Sequence, residues 1–219
     1  YWGMEERGYR FPGSPRPRQD APEPGGLQVF PGTYKVVVTL GKDSDSTMVT
    51  IKDDPRLKKS LEVQLAQRRM LERLRNSTER LTTATDRLVE SEETLTKVQA
   101  QLAGLEGKEV DSLRKATTVM RDSIKAIREF ISGRQSERQG ISRPAQVSVM
   151  NIIQTAQQYI TSKSVAPATQ EEALVKNAEQ MINLAVQRVN NFFNTKWKDY
   201  RRQVEGTKVN LFKEYSPIQ

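Results

Sequence analysis

Residues 70–105 read MLERLRNSTERLTTATDRLVESEETLTKVQAQLAGL, and this stretch decides the fold. Leu74, Leu81, Leu88, Leu95 and Leu102 recur at every seventh position. Met70, Ser77, Ala84, Ser91, Val98 and Leu105 form a second seven-residue series. Alternating spacings of three and four place both series on one stripe of a helix. One series is leucine and the other mostly small, which suits close antiparallel packing better than an open two-stranded zipper. Bare leucine at this spacing on a water-exposed surface invites association, so something must cover it. The short turn that follows favours a fold-back within the chain, which predicts a monomer.

Working outward, Leu57, Leu61, Leu65 and Met70 extend an apolar face with a drift in phase, and Asn76-Ser77-Thr78 is a candidate break. Gly104-Leu105-Glu106-Gly107 reads as a turn after a helix C-terminus. Val110, Leu113, Met120, Ile124, Ile127 and Ile131 stripe a second helix ended by Gly133. Residues 134–143 read as a polar loop, and Pro144 as the start of a third helix through Val147, Met150, Ile153, Ala156 and Ile160. Thr169-Gln170-Glu171-Glu172 is a capping-box pattern. It opens a last helix striped by Leu174, Ala178, Met181, Ala185, Val189, Phe193 and Trp197. Phe193 and Trp197 are expected in the core, with Phe192 the more exposed of the Phe pair, and Tyr215 anchoring the tail.

Upstream, Asp53-Asp54-Pro55 reads as an acidic cap with proline at the first helical position. Before it, Tyr34, Val36, Val38 and Leu40 alternate, residues 41–46 carry turn chemistry, and Val49 and Ile51 line a return strand. A lone hairpin is marginal in water, so further strands are expected beside it. Residues 1–33 are dense in Pro and Gly and read as a long loop, with Trp2 and Met4 in a short strand. The fold expected is mainly α with a small β part. A partial immunoglobulin-like module over 1–54 precedes an antiparallel three- or four-helix bundle over 55–219.

The 219 residues contain no Cys and no His, which removes disulfides, Ser-His-Asp and Cys-His catalysis and Cys/His zinc sites. No apolar run approaches the ~18 residues that a membrane span needs. Opening at Tyr1 without Met, the sequence reads as a piece of something longer. The net charge of +8 is uneven. Residues 1–54 hold 7 basic and 8 acidic side chains, residues 55–142 hold 18 and 13, and residues 143–219 hold 10 and 6. The basic excess is interspersed with acids, as on solvated helix faces, whereas a nucleic-acid groove shows a one-sided stripe.

No catalytic, cofactor or metal residue emerges. Asp43-Ser44-Asp45-Ser46-Thr47 superficially resembles a calcium loop, but Met48 sits where such a loop needs Gly. Gly41-Lys42 and Gly107-Lys108 lack the earlier Gly of a phosphate loop. Glu92-Glu93 and Glu171-Glu172 are adjacent on helices and diverge, whereas a glycosidase needs carboxylates facing across a cleft. Two basic groups remain as a possible binding surface: Arg68, Arg69, Arg73 and Arg75, and then Lys196, Lys198, Arg201 and Arg202 beside Trp197 and Tyr200. Aromatics among cations can grip single-stranded nucleic acid or glycan. Ion pairing and core packing account for them as well. Asn76-Ser77-Thr78, Asp45-Ser46-Thr47, Asp111-Ser112-Leu113 and Asp122-Ser123-Ile124 match short glycosylation patterns.

The order of Trp2, Gly8, Arg10, a Pro/Gly-rich loop, Val29-Phe30-Pro31-Gly32-Thr33-Tyr34-Lys35-Val36, a hairpin and Asp53-Asp54-Pro55-Arg56 resembles the C-terminal region of large secreted bacterial sortilin-like β-propeller proteins, often labelled glycosyl hydrolases. The likeness covers residues 1–56 and reaches the helices only through Trp197 and Leu211-Phe212. It implies an immunoglobulin-like end joined to a helical tail, an extracellular or periplasmic location, and upstream propellers or another protein as partner. It carries over no catalytic residue. The function expected is a non-catalytic scaffold or docking portion, without cofactor. The alternatives are a nucleic-acid- or anion-binding helical protein and an accessory carbohydrate-binding module.

Overall fold

A computed structural model describes residues 2–18, 21, 24–56, 59–134 and 147–207. The protein is mainly helical with two small antiparallel sheets, as its sequence predicts. The strands are β1 (Glu5–Arg7), β2 (Gly25–Gln28), β3 (Gly32–Leu40) and β4 (Asp43–Ile51). The helices are α1 (Leu61–Leu102), α2 (Lys108–Ser132), α3 (Val149–Ser162), α4 (Thr169–Phe192) and α5 (Lys198–Gly206). A π-helical segment, Phe193–Trp197, joins α4 to α5 without a break. The expected loop over 135–143, the helix start at Pro144 and the tail with Tyr215 lie outside the described residues.

The 42 residues of α1 span about 63 Å at 1.5 Å per residue. Asn76-Ser77-Thr78 does not break it. Thr78 is buried and its hydroxyl donates to the Leu74 carbonyl at 2.8 Å, one turn back. All five heptad leucines are at most 2% exposed. The helix begins later than Asp54-Pro55 suggests. Ser60 is the cap, its Oγ accepting from the Val63 N–H, while Asp54 accepts from the Arg56 N–H at 2.9 Å in a local turn. Leu61 and Leu65 do not continue the core stripe: both are exposed, and at this level Gln67 and Arg68 point inward instead.

Two legs, one of them split, cover the leucines. Arg114 donates to the Leu102 carbonyl and Arg128 pairs with Glu92 at 2.5 Å, so α2 runs back along the upper half of α1. Gln67 donates to the Lys163 carbonyl at the end of α3, so α3 runs back along the lower half. Arg73 bonds both Glu172 and Glu179, and Arg80 reaches Asn183, so α4 runs parallel to α1. Further up, Tyr200 meets Thr117 and Gln203 meets Ser112, which aligns α5 with α2. The bundle is thus three helices thick, with α2 and α3 abutting as one split leg. That leg holds 25 and 14 residues, nearly matching the 42 of α1. Val147, expected on the third helix, stands exposed before the Ser148 cap.

The π segment rescues the register of the last leg. Val175, Ala178, Ile182, Ala185, Val189 and Phe192 are buried at alternating spacings of three and four. Continued unchanged, that rhythm would next bury Lys196 and Asp199. One extra residue in the wide turn moves Trp197 and Tyr200 onto the stripe instead, and Lys196 and Asp199 to the outside. The expected ranking of the aromatics is corrected accordingly. Phe192 is buried at 4% exposure, and Phe193 and Trp197 are half-buried against it.

Deleting Asn194, which is exposed, removes the extra residue and leaves Trp197 and Tyr200 on the core stripe of an ordinary α-helix. The expected result is a Tm no lower than that of the parent, an unusual outcome for a deletion inside a helix. Inserting Ala after Asn194 instead turns Tyr200 away from Thr117 and costs about 3–5 kcal/mol, as loss of a buried aromatic does. Thermal and denaturant unfolding of both variants checks this.

Candidate functional site

The first basic cluster is an internal clamp. Arg68 is buried on α1, ion-paired with Glu6 and with Glu72 at 3.1 Å, donating to the Gln28 carbonyl at 3.1 Å and lying over the Phe30 ring. It therefore fastens β1 and β2 to the rod. Arg73 spans to α4 through Glu172 and Glu179. Arg75 pairs with Glu79 and covers the Tyr9 ring. Of the four, Arg69 is exposed with no partner among the described residues. The sequence puts these four cations within two helical turns. The structure sends three of them to three different neighbours.

The second cluster is likewise dispersed. Lys196 donates to Ser123 Oγ at 3.3 Å, Arg201 pairs with Glu205, and Arg202 with Asp199. Lys198 is exposed. Trp197 packs its ring against Phe192, Phe193 and Tyr200 instead of offering a stacking face beside the cations.

Residues missed in the sequence complete the clamp. Arg10 ion-pairs with Asp86, Arg16 reaches Glu90 at 2.5 Å, and the Thr82 hydroxyl donates to the Arg10 carbonyl. Gln157 donates to Tyr9 Oη at 2.6 Å, and burial pushes the Tyr9 phenol up. The Pro/Gly-rich run, expected as loop, holds β2. Gly8 and Gly26 permit it, because a Cβ at either would meet a facing carbonyl oxygen at 2.2 Å or less. An open cleft between this strap and α1 is lined by Tyr9, Arg10, Arg75 and Thr82, all already engaged.

The hairpin is the opposite case. β3 and β4 pair over nine residues in unbroken register, from Gly32↔Ile51 to Leu40↔Asp43. The loop is shorter than expected, only Gly41-Lys42, with Gly41 at φ 63° and Lys42 outside the left-handed region, the pattern of a II′ turn. The calcium-like acidic residues belong to β4, and no metal-sized cluster exists among the described residues. At its base Tyr34 stacks edge-on with Trp2 and donates to the Phe30 carbonyl. Beyond that, Val37, Val38, Leu40 and Met48 are 55%, 67%, 83% and 63% exposed. Neither outer edge carries a further strand among the described residues. The run Val36-Val37-Val38 was the available signal, since three consecutive β-branched residues make both faces apolar.

The glycosylation-like triplets fare unequally. Asn76, the acceptor of the first, is exposed on α1 although Thr78 is buried, and Ser123 donates to the Val119 carbonyl. Ser46 and Ser112 are exposed, the latter accepting from Gln203. No family model matches the chain, and no curated protein or solved structure is significantly similar to it.

Two predictions follow from the clamps. Arg68→Ala leaves Glu6 and the Gln28 carbonyl without their partner and costs about 1–3 kcal/mol in denaturant unfolding. Hydrogen exchange should rise first at β1 and β2. The second concerns Glu171, buried at the start of α4, where Lys163 and the Ala168 N–H hold its carboxyl below the usual range. Ala168 offers no side-chain acceptor, so this is half of a capping box, one residue earlier than the sequence pattern placed it. A depressed folded pKa adds stability that is complete above the unfolded value of about 4.3 and is lost as pH falls through the folded value. Glu171→Gln should therefore be less stable than the parent near pH 7, with the gap closing below pH ~4.

Proposed function

We propose that this chain is a non-catalytic scaffold and docking portion of a larger secreted, sortilin-like multidomain protein, and that its β-hairpin is the docking element. The carrying observation is the contrast between the two halves of the surface. The cations and carboxylates that sequence analysis singled out are mostly spent on internal ion pairs, whereas the hairpin leaves nine-residue edges and apolar side chains without cover. A two-stranded sheet gains little stability alone, and an added strand supplies what it lacks. The rod contributes rigidity. Both chain segments that flank the hairpin are fixed to it, through Arg68 to Gln28 on one side and Gln64 to Asp53 on the other. The order of features in residues 1–56 and its likeness to the sortilin-like C-terminal region support the multidomain context.

Hydrogen exchange on the whole chain tests this. Amides of α1 and α4 should be protected near the global stability, and those of β3 and β4 should exchange much faster. Adding the propeller region of a sortilin-like protein should protect the hairpin. Tight binding of labelled single-stranded DNA with a steep loss on raising salt would instead establish the nucleic-acid reading.

A further inference from the structure

Resting on the reading of the hairpin as a docking element, we propose that the free edge of β3 takes the same edge of a second copy of this chain. Pairing is antiparallel about Val37 and builds one four-stranded sheet in the order β4–β3–β3–β4.

The first ground is that this edge is the less protected of the two. Edge strands normally carry proline, a bulge, inward charge or surface charge, lysine above all, to prevent pairing. β3 has no proline, its register with β4 is unbroken over all nine residues, and its one charge is Lys35. The other edge is guarded, because β4 carries Asp43 and Asp45.

The second ground is self-complementarity. With Val37 on the two-fold axis, Val36 faces Val38, Tyr34 faces Leu40, and Lys35 faces Thr39. Every pair on the Tyr34 face is then apolar, and no like charges meet. Val38 and Leu40, the most exposed of the apolar side chains on β3, gain Val36 and Tyr34 of the second copy as neighbours. The same operation on β4 about Thr47 sets Asp45 against Val49 and Asp43 against Ile51. A symmetric contact of this kind closes on itself and stops at two copies.

The third ground is room. The segments at the base of the hairpin, beside Gly32 and Ile51, are the ones tied to α1, and residues 37–48, which include the tip Gly41-Lys42, are all exposed. Antiparallel pairing lays the base of one hairpin beside the tip of the other, so the two rods leave on opposite sides. The leucine stripe takes no part, being covered within each chain.

The chain has no cysteine, so a single introduced thiol reports the register. Val37→Cys places two thiols directly opposite each other, with Cβ atoms about 5 Å apart, so a shift of roughly 0.5–1 Å between the two edge strands brings them to bridging distance. Ser46→Cys, on β4 beside Val37, places them three strand spacings apart, roughly 14 Å. Under mild oxidation the first should form a covalent dimer, and the second should form it at least about tenfold more slowly. Val37→Lys, at an exposed position, should keep the circular dichroism of the parent. It should weaken dimerisation in sedimentation about tenfold or more, since two ammoniums then meet at the axis. Equal cross-linking of the two cysteine variants, or a wild-type chain that stays monomeric at its highest soluble concentration, overturns the proposal. If that monomer's hairpin still gains protection from the propeller region, self-pairing falls and docking stands. If it gains none, both fall.

Discussion

Everything in this molecule is arranged around one long apolar seam. Five leucines at seven-residue spacing on a 42-residue helix present a strip that water disfavours along its whole length, and α2, α3 and α4 each lie where they cover part of it. The length of the seam dictates the lengths of its covers. One leg runs its full extent from α4 through α5, and the other is assembled from α2 and α3 laid end to end. Small residues in the companion series, with Ala84 and Ser91 buried, let those legs approach closely.

Electrostatics is secondary to that seam and fixes its accessories. The overall charge of +8 suggests a molecule ready for a polyanion. Yet most of the arginines that look available face a carboxylate: Arg68 and Arg73 one of the amino-terminal strap or of the neighbouring leg, and Arg75, Arg201 and Arg202 one on their own helix. Arg73 joins two parallel helices, Arg128 two antiparallel ones, and Arg10 ties an irregular segment to the middle of α1. Exposed pairs of this sort contribute little free energy each, but they choose which neighbour lies where.

The helical part was legible because its signals are periodic and local. The heptad leucines, the Gly104 and Gly107 turn and the stripes of α2 and α4 needed no knowledge of the neighbours. Three errors share one form, a local pattern overridden by a competing contact or turn, near or distant. Asp54-Pro55 has the chemistry of a cap, but Asp54 is taken by Arg56 and Ser60 does the capping. Phe193 fits the apolar stripe by count, but the π turn changes the count. Arg68 looks like a surface cation until residues forty or more positions upstream fold over it. Candidate sites were legible as residue types and not as roles, because whether an arginine is spent or spare depends on where a partner some hundred positions away comes to rest.

The parallel course of α1 and α4 has a mechanical consequence. The hairpin is fastened at the end of the rod where α1 begins, while α5 finishes beside the far end of α1, near Ser112 at the start of α2. Tension applied between the hairpin and the end of α5 is therefore drawn along the helix axes. The legs resist it by sliding against one another over their whole length, with many side chains loaded at once, and do not peel apart one contact at a time. Such a geometry suits a strut that must transmit pull without lengthening.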